Sequence, residues 1–97
     1  MRLAITKPAV NWFKREMALK TGDTVRFFVR SGGCADVSRG FSIGVSLETA
    51  RQPLVTEEQD DITFFVEESD QWFFDDKTLS IKYKRKTDDI IYALTES

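Results

Sequence analysis

The chain contains no histidine. That absence removes the commonest general base and the commonest neutral metal ligand together. A His-dependent catalytic triad and a His-rich zinc site are both excluded. Cysteine occurs once, as Cys34. No disulfide can form within the chain, which agrees with a compartment that keeps thiols reduced. No apolar run approaches the roughly 20 residues that span a bilayer. Lys7, Asn11 and Lys14 also break up any apolar signal region near the start. The expectation is a cytoplasmic protein with no membrane association. An excess of positive charge is missing as well. The formal net charge is −2, whereas a general nucleic-acid binder needs a basic surface to neutralise phosphates.

What is present points to one domain spanning residues 1–97. Apolar residues make up 41% and aromatics 12%, with eight Phe and two Trp. Each such ring buries roughly 150–250 Å² when enclosed, enough together for a single core. Charged residues make up 31%, yet the apolar periodicity is clear, so the chain does not read as disordered.

Residues 2–5 read as a short strand. Thr6 is placed to cap a helix, with Pro8 in the first turn, where a missing N–H costs nothing. Val10, Phe13 and Met17 recur at helical spacing, and Ala9, Trp12 and Ala18 widen that face. The spacing predicts a helix over about 7–19, stopped by Gly22. Trp12, Phe13 and Met17 are expected in the core. From there the period changes to two. Alternation predicts strands over 25–29, 41–47, 62–66 and 79–83. Trp72 and Phe74 suggest a further short strand. Residues 90–94 fit either an edge strand or a short helix. Residues 48–60, polar and containing Pro53, read as a mobile loop. Phe28, Phe65 and Phe73 break the in/out alternation. They imply strands buried on both faces, the alternative being an exposed aromatic patch. The predicted class is α+β, mainly β: a compact sandwich or pseudo-barrel of mixed, mostly antiparallel strands with one N-terminal helix.

Three groups of residues have chemistry worth weighing. The first is the run Arg30-Ser31-Gly32-Gly33-Cys34, which closes the strand 25–29. Its two glycines let the backbone turn sharply and hold the thiol at the mouth of a turn. Cys34 is then a metal ligand, a reactive thiol, or a small side chain in a turn. Arg30 and Arg39, if close in space, would favour its thiolate. The second group is acidic, Glu67-Glu68-Ser69-Asp70 with Asp75-Asp76. It reads as a solvated turn around Trp72, because calcium-loop spacing with a central glycine is absent. The third is basic, Lys82, Lys84, Arg85 and Lys86. It is a solvated strand face or a surface that steers an acidic partner.

Taken in order, these segments resemble the HesB/IscA-like iron–sulfur biogenesis family. The resemblance rests on an early Ile5-Thr6 and helix, then Val25-Arg26-Phe27-Phe28-Val29, then Gly32-Gly33-Cys34. It continues through a strand containing Phe41 and through Asp61-Ile62-Thr63-Phe64-Phe65-Val66. It ends with Trp72-Phe73-Phe74-Asp75-Asp76 leading into Leu79-Ser80-Ile81-Lys82-Tyr83. Coverage is nearly complete, and the cysteine turn is its most specific part. The resemblance implies a non-enzymatic role in iron–sulfur cluster assembly or iron handling. It also implies partners in the assembly machinery and iron or an iron–sulfur cluster held at Cys34. Family carriers add a Cys-x-Cys near the C-terminus, and the residues up to Ser97 include no such pair.

One ligand out of three therefore carries over. Clusters are held mainly by thiolates, about four per cluster. A homodimer would bring two copies of Cys34 together at most. The further positions would fall to other donors. Asp36, Glu67, Glu68, Asp70, Asp75 and Asp76 are available, though carboxylates suit harder ions better. The rival reading is a metal-free protein-interaction module on the same fold. A thiol-redox protein would need a resolving cysteine from another chain.

Overall fold

The computed structural model describes residues 1–32 and 40–96. Two open sheets face each other. One holds three strands in the order β1-β6-β7, namely Arg2–Ile5, Lys77–Lys84 and Asp89–Glu96. The other holds four in the order β3-β2-β5-β4, namely Phe41–Leu47, Thr24–Ser31, Ile62–Glu67 and Pro53–Gln59. The pairs β1–β6 and β2–β5 are parallel, and β2–β3, β4–β5 and β6–β7 are antiparallel. The mixed, mainly antiparallel sandwich with one N-terminal helix is as expected, and the sheets do not close into a barrel.

Helix α1, Lys7–Glu16, starts where Thr6 caps it, its hydroxyl accepting from the Ala9 N–H at 3.4 Å. Ala9, Val10 and Phe13 are fully buried and enter the core between the sheets. There Phe13, Phe27 and Phe64 contact one another with centroids 5.5–5.9 Å apart. Leu3, Ile5, Leu79 and Ile81 supply the opposite sheet's share. Trp12 and Met17 sit at the rim, half-buried rather than inside. The Trp12 indole donates to the Asp88 carbonyl at 3.1 Å, tying the helix to the β6–β7 turn.

The structure corrects three expectations. The helix ends three residues before the expected Leu19. Ala18 takes a left-handed φ of 51°, and the Leu19 N–H reaches back to the Lys14 carbonyl at 3.0 Å, a Schellman-type stop. Gly22 serves the next turn instead. Residues 48–60 are not simply a loop, because β4 occupies Pro53–Gln59. Thr56–Gln59 are polar, but Leu54 and Val55 pack against the core and the backbone pairs along β5, and an edge strand tolerates Pro53 at its first position. Asp60 and Asp61 both adopt positive φ at the hairpin turn, which is the two-residue geometry that antiparallel strands favour. Finally, Trp72 and Phe74 lie on one helical turn, α2, Gln71–Phe74, and not on a strand. A 3₁₀ turn over Glu68–Asp70 leads into it. Residues 90–94 settle as edge strand β7.

Candidate functional site

In sequence Cys34 falls between strands β2 and β3, which pair as a hairpin. Pairing runs from Val25↔Leu47 to Ser31↔Phe41. The Gly32 N–H then donates to the Gly40 carbonyl at 2.6 Å, and the Ser42 hydroxyl donates to the Gly32 carbonyl at 2.6 Å. Gly32 and Gly40 have φ of +78° and +83°, which side chains with a Cβ rarely adopt. Gly32 and Gly40 thus close the described end of the hairpin, on either side of residues 33–39 in the sequence. Cys34, Asp36 and Arg39 lie outside the described residues. Arg30 is exposed near the end of β2.

An aromatic cluster stands at the Ser31–Phe41 end of the β2–β3 pairing. Phe41 packs against Trp72 and Phe73 with centroids 5.7 and 5.3 Å away. Phe73 is nearly buried, whereas Trp72 is 66% exposed. Periodicity could not reveal this grouping. Phe41 and Trp72 are far apart in sequence, and the helical turn of α2 is too short to leave a period. Of the three residues that break alternation, Phe65 is fully buried and Phe73 nearly so. Phe28 is half-buried beneath the Arg26 guanidinium, 5.6 Å from the ring centroid. Gly44 makes room for that ring, since a Cβ there would overlap it.

The acidic residues are not a solvated turn throughout. Glu67 is buried, and its two carboxylate oxygens accept from the backbone N–H groups of Arg51 and Gln52 at 2.7 and 2.8 Å. Asp70 is buried and accepts from Arg26 at 3.3 Å. Glu68, Asp75 and Asp76 are exposed. Among the described residues no three Cys, Asp or Glu side chains are grouped to hold a metal ion. Glu67 and Asp70 are engaged in holding loops down, so they do not serve as the extra ligands that the sequence left open.

A polar cavity of about 370 Å³ lies above this region, lined by Arg26, Glu48, Arg51, Gln52, Glu67 and Ser69. Its groups largely satisfy one another. Arg26 also donates to Glu48 at 3.2 Å. The Ser46 hydroxyl, assisted by Arg26, holds the Glu48 carboxyl below the usual carboxylate range. The Arg26 Nε is buried without a hydrogen-bond partner. Across the molecule, the Tyr83 hydroxyl donates to Asp88 at 2.6 Å and Arg15 does so at 2.8 Å. Together they lower the Asp88 carboxyl's affinity for protons. Lys82 and Lys84 share the outer face of β6, as the alternation implied.

Two facing mixed sheets with one N-terminal helix define a recognisable fold. A model of the iron–sulphur cluster biosynthesis family matches residues 1–91, and the chain belongs to that family. A Bacillus subtilis protein named pyruvate dehydrogenase inhibitor is 47% identical over 92 residues, covering 95% of this chain and 97% of that one. An uncharacterized protein of Staphylococcus saprophyticus is 35% identical over 96 residues, covering 96% and 98%. The crystal structure of Escherichia coli SufA, described as involved in biosynthesis of iron–sulfur clusters, superposes with a TM-score of 0.64. It shares 19% identity and covers 99% of this chain and 86% of that one. That likeness shows a shared fold. No helix of the described residues is long and apolar enough to cross a membrane.

Proposed function

We propose that this chain is a non-catalytic protein of the cytoplasm that handles iron or an iron–sulfur cluster as cargo through Cys34, together with a partner protein. The donor set carries this reading. The chain has one thiol and no histidine, and Glu67 and Asp70 are already bound to loop amides and to Arg26. A cluster needs about four soft ligands. This chain alone does not fit one, so the remaining ligands come from a second copy or from a protein of the assembly machinery. Family membership and the sequence Gly32-Gly33-Cys34 support Cys34 as the contributed ligand.

Anaerobic reconstitution with iron and sulfide tests it. Bound iron and visible absorption are expected in the wild type and lost in Cys34→Ser, with size exclusion showing whether the loaded form is a dimer. Colour that survives the substitution, or none in either protein with or without partner extracts, would sink the reading.

The name of the Bacillus subtilis relative favours a second reading, a metal-free module that inhibits a dehydrogenase complex by binding it. Titrating purified pyruvate dehydrogenase complex with iron-free protein separates the two. Activity that falls equally with wild type and Cys34→Ser supports inhibition by contact alone. Unchanged activity removes it.

A further inference from the structure

The geometry points to the outer face of the β1–β6–β7 sheet as a docking surface for an acidic protein partner. Register places Ala4, Ser80 and Ala93 in one row across the three strands. These small side chains leave the middle of the face flat. The neighbouring row sets Lys82 opposite Ile91, and Ile91 is 46% exposed. Ala4, Lys82, Lys84, Ile91 and Ala93 are all exposed, and no described element packs over them. Antiparallel sheets often turn one face to water, but that face is then usually polar.

Charge singles out the same surface. Arg2, Lys82 and Lys84 point to this side and make no ion pair among the described residues. Asp89, opposite Lys84, is the one carboxylate in these rows. Three cations against one carboxylate is a positive field on a chain whose net charge is −2. Arg85 and Lys86 extend it into the adjoining turn. A flat centre of small side chains with exposed Ile91 beside it, rimmed by unpaired cations, fits a partner surface with an apolar side chain ringed by Asp and Glu. A second copy does not fit, because two-fold pairing of this face would set Lys82 and Lys84 against themselves. Nucleic acid fits less well. The face has no aromatic ring on which a base would stack, and its cation count is small for phosphate neutralisation.

This inference rests on the reading that the chain works through a protein partner. The test uses ¹⁵N-labelled full-length protein and four probes. They are a synthetic helical peptide of Glu and Leu, the same peptide with Gln for Glu, a single-stranded RNA, and anionic lipid vesicles. Amide shifts confined to residues 80–84 and 91–93 are expected with the acidic peptide only, weakening with added salt. Lys82→Glu with Lys84→Glu should reduce affinity about tenfold or more, and Ile91→Ser should reduce it with the charges intact. Unchanged circular dichroism would show that the variants fold. Shifts mapping elsewhere, no binding, equal binding of the Gln peptide, or tighter binding of RNA or vesicles would each overturn the assignment. Iron loading of the Lys82→Glu, Lys84→Glu protein separates the two claims. Normal loading of that variant shows that the docking face and the cargo site are separate, whereas wild-type protein that loads through Cys34 but fails to bind the acidic peptide leaves the cargo reading intact and overturns only the docking face.

Discussion

On the outer side of the four-stranded sheet Phe65 is fully buried, while on the outer side of the three-stranded sheet Ile91 stands 46% exposed. Both residues lie on faces turned away from the shared core. The difference comes from the connections. Residues 48–52 and 68–70 fold back over the first face, where Glu48 and Asp70 clasp Arg26 and Glu67 binds two loop amides. Among the described residues the second face receives no such segment, and a tight turn joins β6 directly to β7. A sheet face is thus closed or open according to where the loops land. The closed face is a structural clasp, and the open one is where a partner has room.

That contrast can be tested one residue at a time. Phe65→Ala should be the most damaging change, costing about 3–5 kcal/mol in denaturant unfolding, since it empties a fully buried ring site. A cost below about 1 kcal/mol would mean that the clasped face is looser than described. Glu67→Gln keeps the shape but leaves one acceptor for two N–H donors, so one of the bonds to the Arg51 and Gln52 amides is lost and the other loses its charge. A loss of about 1–3 kcal/mol is expected, with faster hydrogen exchange at those two amides first.

The core side of β7 adds a pH signature. Burial, with a smaller contribution from Asp89, pushes the Tyr92 hydroxyl up to about 12. A free tyrosine ionises near pH 10. The unfolded chain therefore releases this proton first, and stability falls as pH rises from about 10 toward 12. Tyr92→Phe should flatten that alkaline limb, and an unaltered limb would show that another group causes it. The smallest effect belongs to the open face. Ile91→Ser should change stability by no more than about 0.5 kcal/mol. A larger loss would mean that Ile91 is packed and the face is not free.

The sequence showed much of this architecture because most of its elements bury one side. Thr6 and Pro8 marked the start of α1, and alternation marked β2, β3, β5 and β6. These are local signals, set by capping and by side chains that point to opposite faces in turn. The segments that escaped lack such a signal. Strand β4 is held by backbone pairing along β5, and its adjacent apolar residues Leu54 and Val55 are too few to show a period of two among Thr56–Gln59. Helix α2 has one turn, too short for a period, so Trp72 and Phe74 resembled a strand.

The candidate site divides in the same way. The glycines around Cys34 and the scarcity of further ligands were readable directly, since both are matters of residue identity. That Glu67 and Asp70 are spent on amides and on Arg26 was not, because their partners lie 15 to 44 residues away. By itself the sequence determined the fold class, the family and the poverty of the donor set, all of which follow from local pattern and composition. Only the tertiary structure decided which carboxylates are engaged, that Trp72 stands beside Phe41, and which sheet face is left bare. Those outcomes depend on where distant segments meet, and no local periodicity encodes that.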